Sequence, residues 1–224
     1  EINTYLLEKI RITKLSNNER NFHIFYMLIN GFTKEKKRKY HLDNILDYNY
    51  LKRSNIISRN DGVNDDEMFK ELEESFNTLN FNEDEIDNIY KIVSAILQLG
   101  NVEKLDNILN NSYLINYCDL MGFPINNIIN IFQYRYIEVN GETIEISNKQ
   151  EDFIVIRDTL SQLIYCLLFE YLVKKINSSI KSESENFIGI LDIFGFEVFK
   201  NNGFEQLCIN YTNEKLQSIF NKFI

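Results

Sequence analysis

The sequence has 224 residues, of which 44% are hydrophobic and 25% are charged, which is typical of a globular protein with a sizeable core. Its formal net charge of −9 argues against nucleic acid as a general partner, because binding a phosphate backbone needs a basic face. The cysteines Cys118, Cys166 and Cys208 are widely spaced, which predicts free thiols in a reducing cytosol and no zinc site. The sequence contains no signal peptide and no apolar run of about 18 residues, so neither secretion nor a membrane span is expected.

The N-terminal part predicts one extended segment followed by helices. Branched residues alternate loosely over 2–12, which favours a strand. Asn21–Ile29 is a strongly apolar helix, and Gly31 is suited to cap its C-terminus. Lys34–Lys39 (KEKKRK) is a local basic patch. A solvated helix face is the simpler interpretation of that patch, and a binding site is the alternative.

Two amphipathic helices are predicted next. The first covers 65–79 and has acidic residues in its first turn. The second begins after the N-cap Asn82 and ends at Gly100. We expect these two helices to pack as an antiparallel pair. Two shorter helices, over 112–121 and 124–132, follow them.

The periodicity of the pattern then changes from helix to strand and back. Two short strands flank Asn140-Gly141, which is the strongest short-range hairpin signal, so a protruding hairpin is predicted over 134–147. Apolar residues then recur every three and four positions over 149–180, which predicts one helix roughly 45 Å long.

The segment 186–199 (NFIGILDIFGFEVF) poses a burial problem. Phe187–Leu191 has the continuous apolar character of a central strand in a parallel sheet, yet Asp192 follows it directly. Burying an unpaired carboxylate is costly. An apolar strand that ends in Asp is the form of a nucleotide motif that holds Mg²⁺ through water, although most such runs are ordinary strand-to-turn caps. Gly195 would let the backbone approach a phosphate, and Glu197 would need a cation or a water to order.

The residues around this segment favour the nucleotide interpretation. The stretch 191–197 (LDIFGFE), followed by 204–217 (FEQLCINYTNEKLQ), closely resembles switch II and the relay helix of the myosin motor domain. Three other segments resemble parts of that family and fall in its order: 19–26 (ERNFHIFY), 95–101 (AILQLGN) and 157–165 (RDTLSQLIY). The resemblance extends over nearly the whole chain.

The resemblance implies an α/β fold dominated by helices, as part of a P-loop NTPase-type motor. Residues 1–185 would be mostly the upper 50 kDa subdomain, with a few strands of the central sheet. The hairpin 134–147 would be the cardiomyopathy loop, which contacts actin, and 149–180 would be the long helix that follows it. Residues 186–199 would form the switch II strand and loop, and 204–224 the start of the relay helix.

The resemblance also implies roles for three residues of the switch II segment. Asp192 would hold the water shell of Mg²⁺, and Gly195 would donate its N–H to the γ-phosphate of ATP. Glu197 would pair with an arginine of switch I, which would close the pocket and order the attacking water. These are positioning and electrostatic roles without a covalent enzyme group.

Tyr136, Glu142 and Thr143 are the actin contacts that the resemblance implies in the hairpin. Members of the family carry an acid or a phosphorylatable Ser/Thr at one position before the long helix. Counting about sixteen residues back from Asp158 reaches Glu142, an acid that would make actin engagement independent of phosphorylation. A one-residue gap would move this position to Thr143. An ordinary polar hairpin tip is the simpler alternative.

The 224 residues contain neither a GxxxxGK[ST] loop nor a switch I segment, and both ends lack caps, so we interpret the chain as a piece of a longer protein without ATPase activity of its own. The intact head would be an actin-based, ATP-hydrolysing motor of the cytoplasm and cytoskeleton. Calmodulin-like light chains would bind through a neck that this sequence does not contain. The alternative is a catalytically inactive myosin-like domain or a non-motor helical interaction domain.

Overall fold

The structure of the protein is a computed structural model that describes residues 1–5, 7–15, 19–53, 56–59, 61–180, 188–193, 195–198 and 202–223. The chain divides into two compact units, Glu1–Lys181 and Ser182–Ile224. Among the described residues, no helix is both long enough and apolar enough to cross a bilayer.

The described part of the first unit consists mainly of helices. Its α-helices are α1 (His23–Gly31), α2 (Lys34–Lys39), α3 (Asn49–Lys52), α4 (Asp65–Thr78), α5 (Glu83–Gly100), α6 (Ser112–Met121), α7 (Ile125–Gln133) and α8 (Gln150–Ser179). Short 3-10 turns cover Lys9–Ile12, Ile45–Asp47 and Ile108–Asn110. Between α7 and α8, the strands β1 (Tyr134–Val139) and β2 (Glu142–Ser147) form an antiparallel hairpin. The helices that the apolar periodicity predicts therefore begin and end close to their expected bounds, and α3 is not among them.

The centre of the first unit is α5, which packs against α6 and α8. Every residue over 93–100 is buried, as expected of a helix with neighbours on several sides. Beside it, an aromatic cluster brings the Phe32 ring within 5.3 Å of the Phe69 ring and 5.1 Å of the Tyr90 ring. Edge-to-face contacts of this kind add to the stability that area burial gives.

Three expectations for the first unit are wrong, and the first two concern residues 2–12 and the packing of α4 on α5. Over 2–12, the described residues form no strand and contain only the turn Lys9–Ile12. Ile12 is instead buried against the helical core, where an apolar residue gains most. The helices α4 and α5 do not form a close pair, because α4 packs mainly against α1.

Gly31 ends α1 for a packing reason rather than as a left-handed cap. The residue after the helix, Phe32, is extended, with φ −72° and ψ 138°. A Cβ atom on Gly31 would lie 2.3 Å from the Phe69 ring, far inside van der Waals contact. The glycine therefore permits the close approach of α1 and α4, which the sequence signal for a cap did not reveal.

The hairpin has the geometry that its sequence predicts. Asn140 and Gly141 both have left-handed backbone angles, with φ 54° and 82°, as a two-residue type I′ turn requires. The register pairs Tyr136 with Glu145, Glu138 with Thr143, and Val139 with Glu142. Because successive residues of a strand point to opposite faces, Tyr136 and Thr143 share one face and Glu142 lies on the other.

In the second unit, irregular segments over 188–193 and 195–198 precede α9 (Phe204–Phe223). The predicted strand Phe187–Leu191 is not formed over 188–191, and Phe187 lies outside the described residues. A strand needs a neighbour for its backbone N–H and C=O groups, and the described residues supply none for this one. The helix-dominated fold class is confirmed. The expected strands of a central sheet are not present in the described part of the chain.

Candidate functional site

Asp192 and Gly195 lie in the irregular segment that precedes α9. The Asp192 side chain is exposed and has no hydrogen-bond or ion-pair partner among the described residues. Gly195 is also exposed, and a Cβ atom placed on it would meet no described atom within 4 Å. The burial problem posed by the sequence therefore does not arise in this structure, and the Asp192 carboxylate is open to a ligand.

Glu197 is held by the side chain of Asn210, which lies on α9. The Glu197 N–H donates to Asn210 Oδ1 at 2.8 Å, and Asn210 Nδ2 donates to the Glu197 carbonyl oxygen at 2.7 Å. A side-chain amide presents one donor and one acceptor side by side, so it pairs with a backbone segment as a neighbouring strand would. This pairing fixes the backbone of Glu197 to the helix.

A second α9 side chain, Gln206, contacts the same loop. Its Oε1 accepts the Gly203 N–H at 2.8 Å, and its Nε2 donates to the Glu197 carboxylate at 3.5 Å, a long hydrogen bond. The first two turns of α9 therefore hold both the backbone and the side chain of Glu197.

The sequence does not single out Asn210 and Gln206 within the stretch 204–217. Their spacing was an available signal, since residues four apart share one face of a helix. Two amides on the same face are suited to grip an irregular backbone next to the helix.

The described residues contain no group of three or more His, Cys, Asp or Glu side chains that could hold a metal ion. Mg²⁺ is commonly bound through one or two carboxylates, with waters and substrate phosphates completing its shell. The single open carboxylate of Asp192 fits that donor set and could not hold the ion alone.

The three hairpin residues predicted as contacts are all exposed, but they differ in what they meet. Tyr136 is 59% exposed, and its hydroxyl donates to Glu145 Oε2 at 2.9 Å. This hydrogen bond to a carboxylate raises the pKa of Tyr136. Neither Glu142 nor Thr143 has a side-chain partner among the described residues. They lie in the first unit, whereas Asp192, Gly195 and Glu197 belong to the second.

The exposed hairpin stands on a well-anchored base. The Asn148 N–H donates to the Gln133 carbonyl at 2.7 Å, and the Asn148 Nδ2 donates to the Phe132 carbonyl at 3.2 Å. Below these bonds, the fully buried rings of Phe132 and Phe153 pack edge to face at 5.1 Å. The base of the hairpin is therefore fixed to the first unit.

Polar residues of the stretch 157–165 make contacts that hold α8 in the core. Arg157 is 4% exposed, pairs with Asp158 at 2.7 Å and donates to the Val102 carbonyl at 2.8 Å. The Tyr50 hydroxyl donates to the same Asp158 carboxylate at 2.7 Å, and burial raises the pKa of Tyr50. Buried charges need such partners, which explains this concentration of polar residues.

Comparison with known proteins identifies the class to which this chain belongs. The sequence matches the family model of the myosin head (motor domain) over residues 1–224. The chain therefore belongs to the myosin head family.

Several curated relatives agree with this assignment. A probable myosin heavy chain of Encephalitozoon cuniculi is 41% identical over 98% of this chain and is itself covered over 13% of its length. The myosin-J heavy chain of Dictyostelium discoideum is 39% identical over the whole chain, which covers 11% of that protein. Myosin-3 of Arabidopsis thaliana is 38% identical over the whole chain, which covers 20% of that protein. The chain thus spans a fifth or less of the length of these three relatives.

Proposed function

We propose that this chain is the part of an actin-based, ATP-hydrolysing motor domain that carries switch II, the start of the relay helix and an actin-contacting hairpin. The observation that carries the proposal is the pairing of Asn210 with both backbone groups of Glu197. This pairing joins the loop that bears the proposed nucleotide residues to a helix of 20 residues. Membership of the myosin head family supports the same assignment.

Three residues of the loop would act in ATP hydrolysis. Asp192 would hold the water shell of Mg²⁺, and its exposed, unpartnered carboxylate suits that role. Gly195 would turn its N–H to the terminal phosphate, and the open space around it leaves room for close approach. Glu197 would pair with an arginine from another part of the head and position the attacking water. Bound ATP would supply the phosphoryl group, and the Mg²⁺ ion bound with it would neutralise the charge on the phosphate oxygens.

The helix α9 would report the state of that loop. Because Asn210 accepts from and donates to the Glu197 backbone, a displacement of the loop changes two hydrogen bonds to α9 at once. Each such bond contributes about 0.5–1.5 kcal/mol, so movement of the helix with the loop is favoured over their separation. This coupling is the property that a relay element requires.

The hairpin β1–β2 would contact the actin filament. Its strands are exposed on both faces, and its base is fixed by Asn148 and the Phe132–Phe153 contact. Tyr136 and Thr143 would form one part of the contact, and Glu142 would present its charge on the other face. In this proposal the protein works in the cytoplasm on the cytoskeleton, and calmodulin-like light chains bind a neck outside these residues.

A chimaeric head tests this function. Residues 1–224 would replace the matching segment of the Dictyostelium myosin-J heavy chain, and actin-activated ATP turnover would be measured. We expect turnover in the chimaera and a loss of roughly 100-fold on Glu197→Ala, the usual scale for removing one transition-state contact. Glu67→Ala, which removes an exposed carboxylate of α4, serves as the matched control and should leave turnover unchanged.

A chimaera that binds actin but shows no turnover would favour an inactive myosin-like domain. The 224-residue chain alone should also be tested, because it lacks a GxxxxGK[ST] loop and is expected to be inactive. Turnover by the chain alone that disappears on Glu197→Ala would contradict that expectation.

A further inference from the structure

The basic helix α2 has two faces with different surroundings. Five of its six residues are cations. Lys36 pairs with Glu73 at 2.7 Å, and Lys39 pairs with Asp87 at 2.5 Å, so these two cations are neutralised by α4 and α5. They account for the part of the basic run that packs against the body of the first unit.

The other three cations line a cleft. Lys34, Lys37 and Arg38 have the spacing of one helix face, and no ion pair to them is formed within the described residues. The cleft has a volume of about 480 Å³, within the range of small-molecule sites. The one carboxylate among its lining residues is Asp43. The simpler interpretation of the basic run, a solvated helix face, does not account for this concave surface. The cleft therefore favours the alternative, a binding site.

The backbone that shapes this cleft is fixed. His41 has a left-handed conformation with φ 51°, and the Leu42 N–H donates back to the Lys37 carbonyl at 2.8 Å, which closes the end of α2. The His41 carbonyl accepts hydrogen bonds from the Tyr48 hydroxyl at 3.1 Å and from Gln98 Nε2. The turn that follows the three cations on α2 is therefore held in one conformation.

We propose that this cleft binds a soluble compact polyphosphate. Three cations of one sign on one helix face repel each other, and a bound polyanion would relieve that repulsion. Arg38 can grip a phosphate through two N–H groups, and the amides of Asn44 and Asn116 supply uncharged donors in the same lining.

A free ligand fits the cleft better than a membrane surface does. The net charge of −9 repels an extended anionic surface, whereas a ligand inside the cleft is governed by charges within about 8 Å at physiological salt. A flat bilayer would also meet the rim of the cleft rather than its lining.

Calorimetric titration of the 224-residue chain with sodium tripolyphosphate at about 0.15 M salt tests the proposal. We expect saturable binding and an affinity at least tenfold weaker for orthophosphate. The double variant K37Q/R38Q should lose at least tenfold in affinity. The matched control K36Q/K39Q makes the same change in net charge on the opposite face, and its affinity should stay within about threefold of that of the unchanged chain. Because the field of the whole protein changes equally in both variants, a larger loss in K37Q/R38Q reports the cleft itself.

Three results would overturn the proposal. They are the absence of tripolyphosphate binding by the unchanged chain, an equal loss of affinity in both double variants, and binding to anionic phosphatidylserine vesicles without binding of free tripolyphosphate. Thermal melting checks that each variant folds. If K37Q/R38Q does not fold, K34Q replaces it, and we expect K34Q to lose at least threefold in affinity. Unchanged affinity in K34Q would then count against the site.

Discussion

The two compact units differ sharply in how they cover their apolar side chains. In the first unit, Phe153 is 0% exposed and Leu97 is 1% exposed. In the second, Ile188 is 97% exposed and Ile190 is 94% exposed, although their sequence is equally apolar. An apolar pattern therefore specifies an element only where its packing partners are also present. Contiguous exposed apolar side chains are typical of surfaces that bury against another element.

The largest difference in stability between the units should come from a Phe→Ala substitution made in each. Phe153→Ala removes a fully buried ring that packs on Phe132 and should destabilise the chain by about 3–5 kcal/mol. Phe204→Ala removes a ring that is 74% exposed and should change stability by less than about 0.5 kcal/mol. Urea unfolding of the two variants measures both. Equal losses would mean that the second unit buries its apolar residues in solution.

The next largest difference in stability should come from a Gly→Ala substitution made in each unit. Gly31→Ala places a Cβ atom against the Phe69 ring and should cost about 1–3 kcal/mol through overpacking of α1 on α4. Gly189→Ala meets no described atom within 4 Å and should be close to neutral. The midpoint of urea unfolding compares the two variants. A neutral Gly31→Ala would show that α1 and α4 separate easily and would contradict their close packing.

Within the second unit, Asn210→Ala should loosen the Glu197 segment. The substitution removes both hydrogen bonds to the Glu197 backbone, and losing about 1.4 kcal/mol corresponds to a tenfold change in local opening. Hydrogen exchange of the Glu197 amide should therefore become roughly tenfold faster. Asn221→Ala is the control, because among the described residues it removes only a contact with Gln217. Unchanged exchange in Asn210→Ala would remove the support for a coupled loop and helix.

The smallest effect concerns pH and the first unit. Hydrogen bonds from Lys175, the Asn82 N–H and the Tyr171 hydroxyl lower the pKa of Glu85 from 4.5 to about 2. Because the folded-state pKa is lowered, the stability it contributes is present above pH 4.5 and is lost as the pH falls towards 2. Glu85→Gln should therefore reduce the loss of stability between pH 6 and pH 3, measured by urea unfolding. The same loss of stability in Glu85→Gln and the unchanged chain would contradict the assignment.

Much of the helical architecture could be predicted because its signals are local. The helix α5 begins where Asn82 and Glu85 form a capping box, with each side chain accepting the backbone N–H of the other at 2.8–2.9 Å. Its apolar face then recurs with the helical period. The hairpin could be predicted for the same reason, because Asn140-Gly141 determines its own turn.

The features that escaped prediction depend on partners distant in the sequence. The helix α4 packs on α1 rather than on α5, because the missing Cβ atom of Gly31 leaves room for the Phe69 ring. The sequence does not show which helix would fill that room. Asp192 and Glu197 could be picked out as unusual charges, whereas the grip of Asn210 on Glu197 joins residues thirteen apart and needed the structure. The expected strand is not formed over 188–191, because a strand is stable only beside another strand.

The alternation of the hairpin has a consequence for how this surface can change during evolution. The type I′ turn fixes the register from Val139–Glu142 back to Tyr134–Ser147. A single inserted or deleted residue in β2 would move every following side chain to the opposite face, whereas a change of two would restore the original faces. Lineages that keep this surface should therefore vary the length of its strands in even steps. An acid at position 142 and a hydroxyl at position 143 then lie on different faces of the hairpin, so one cannot replace the other.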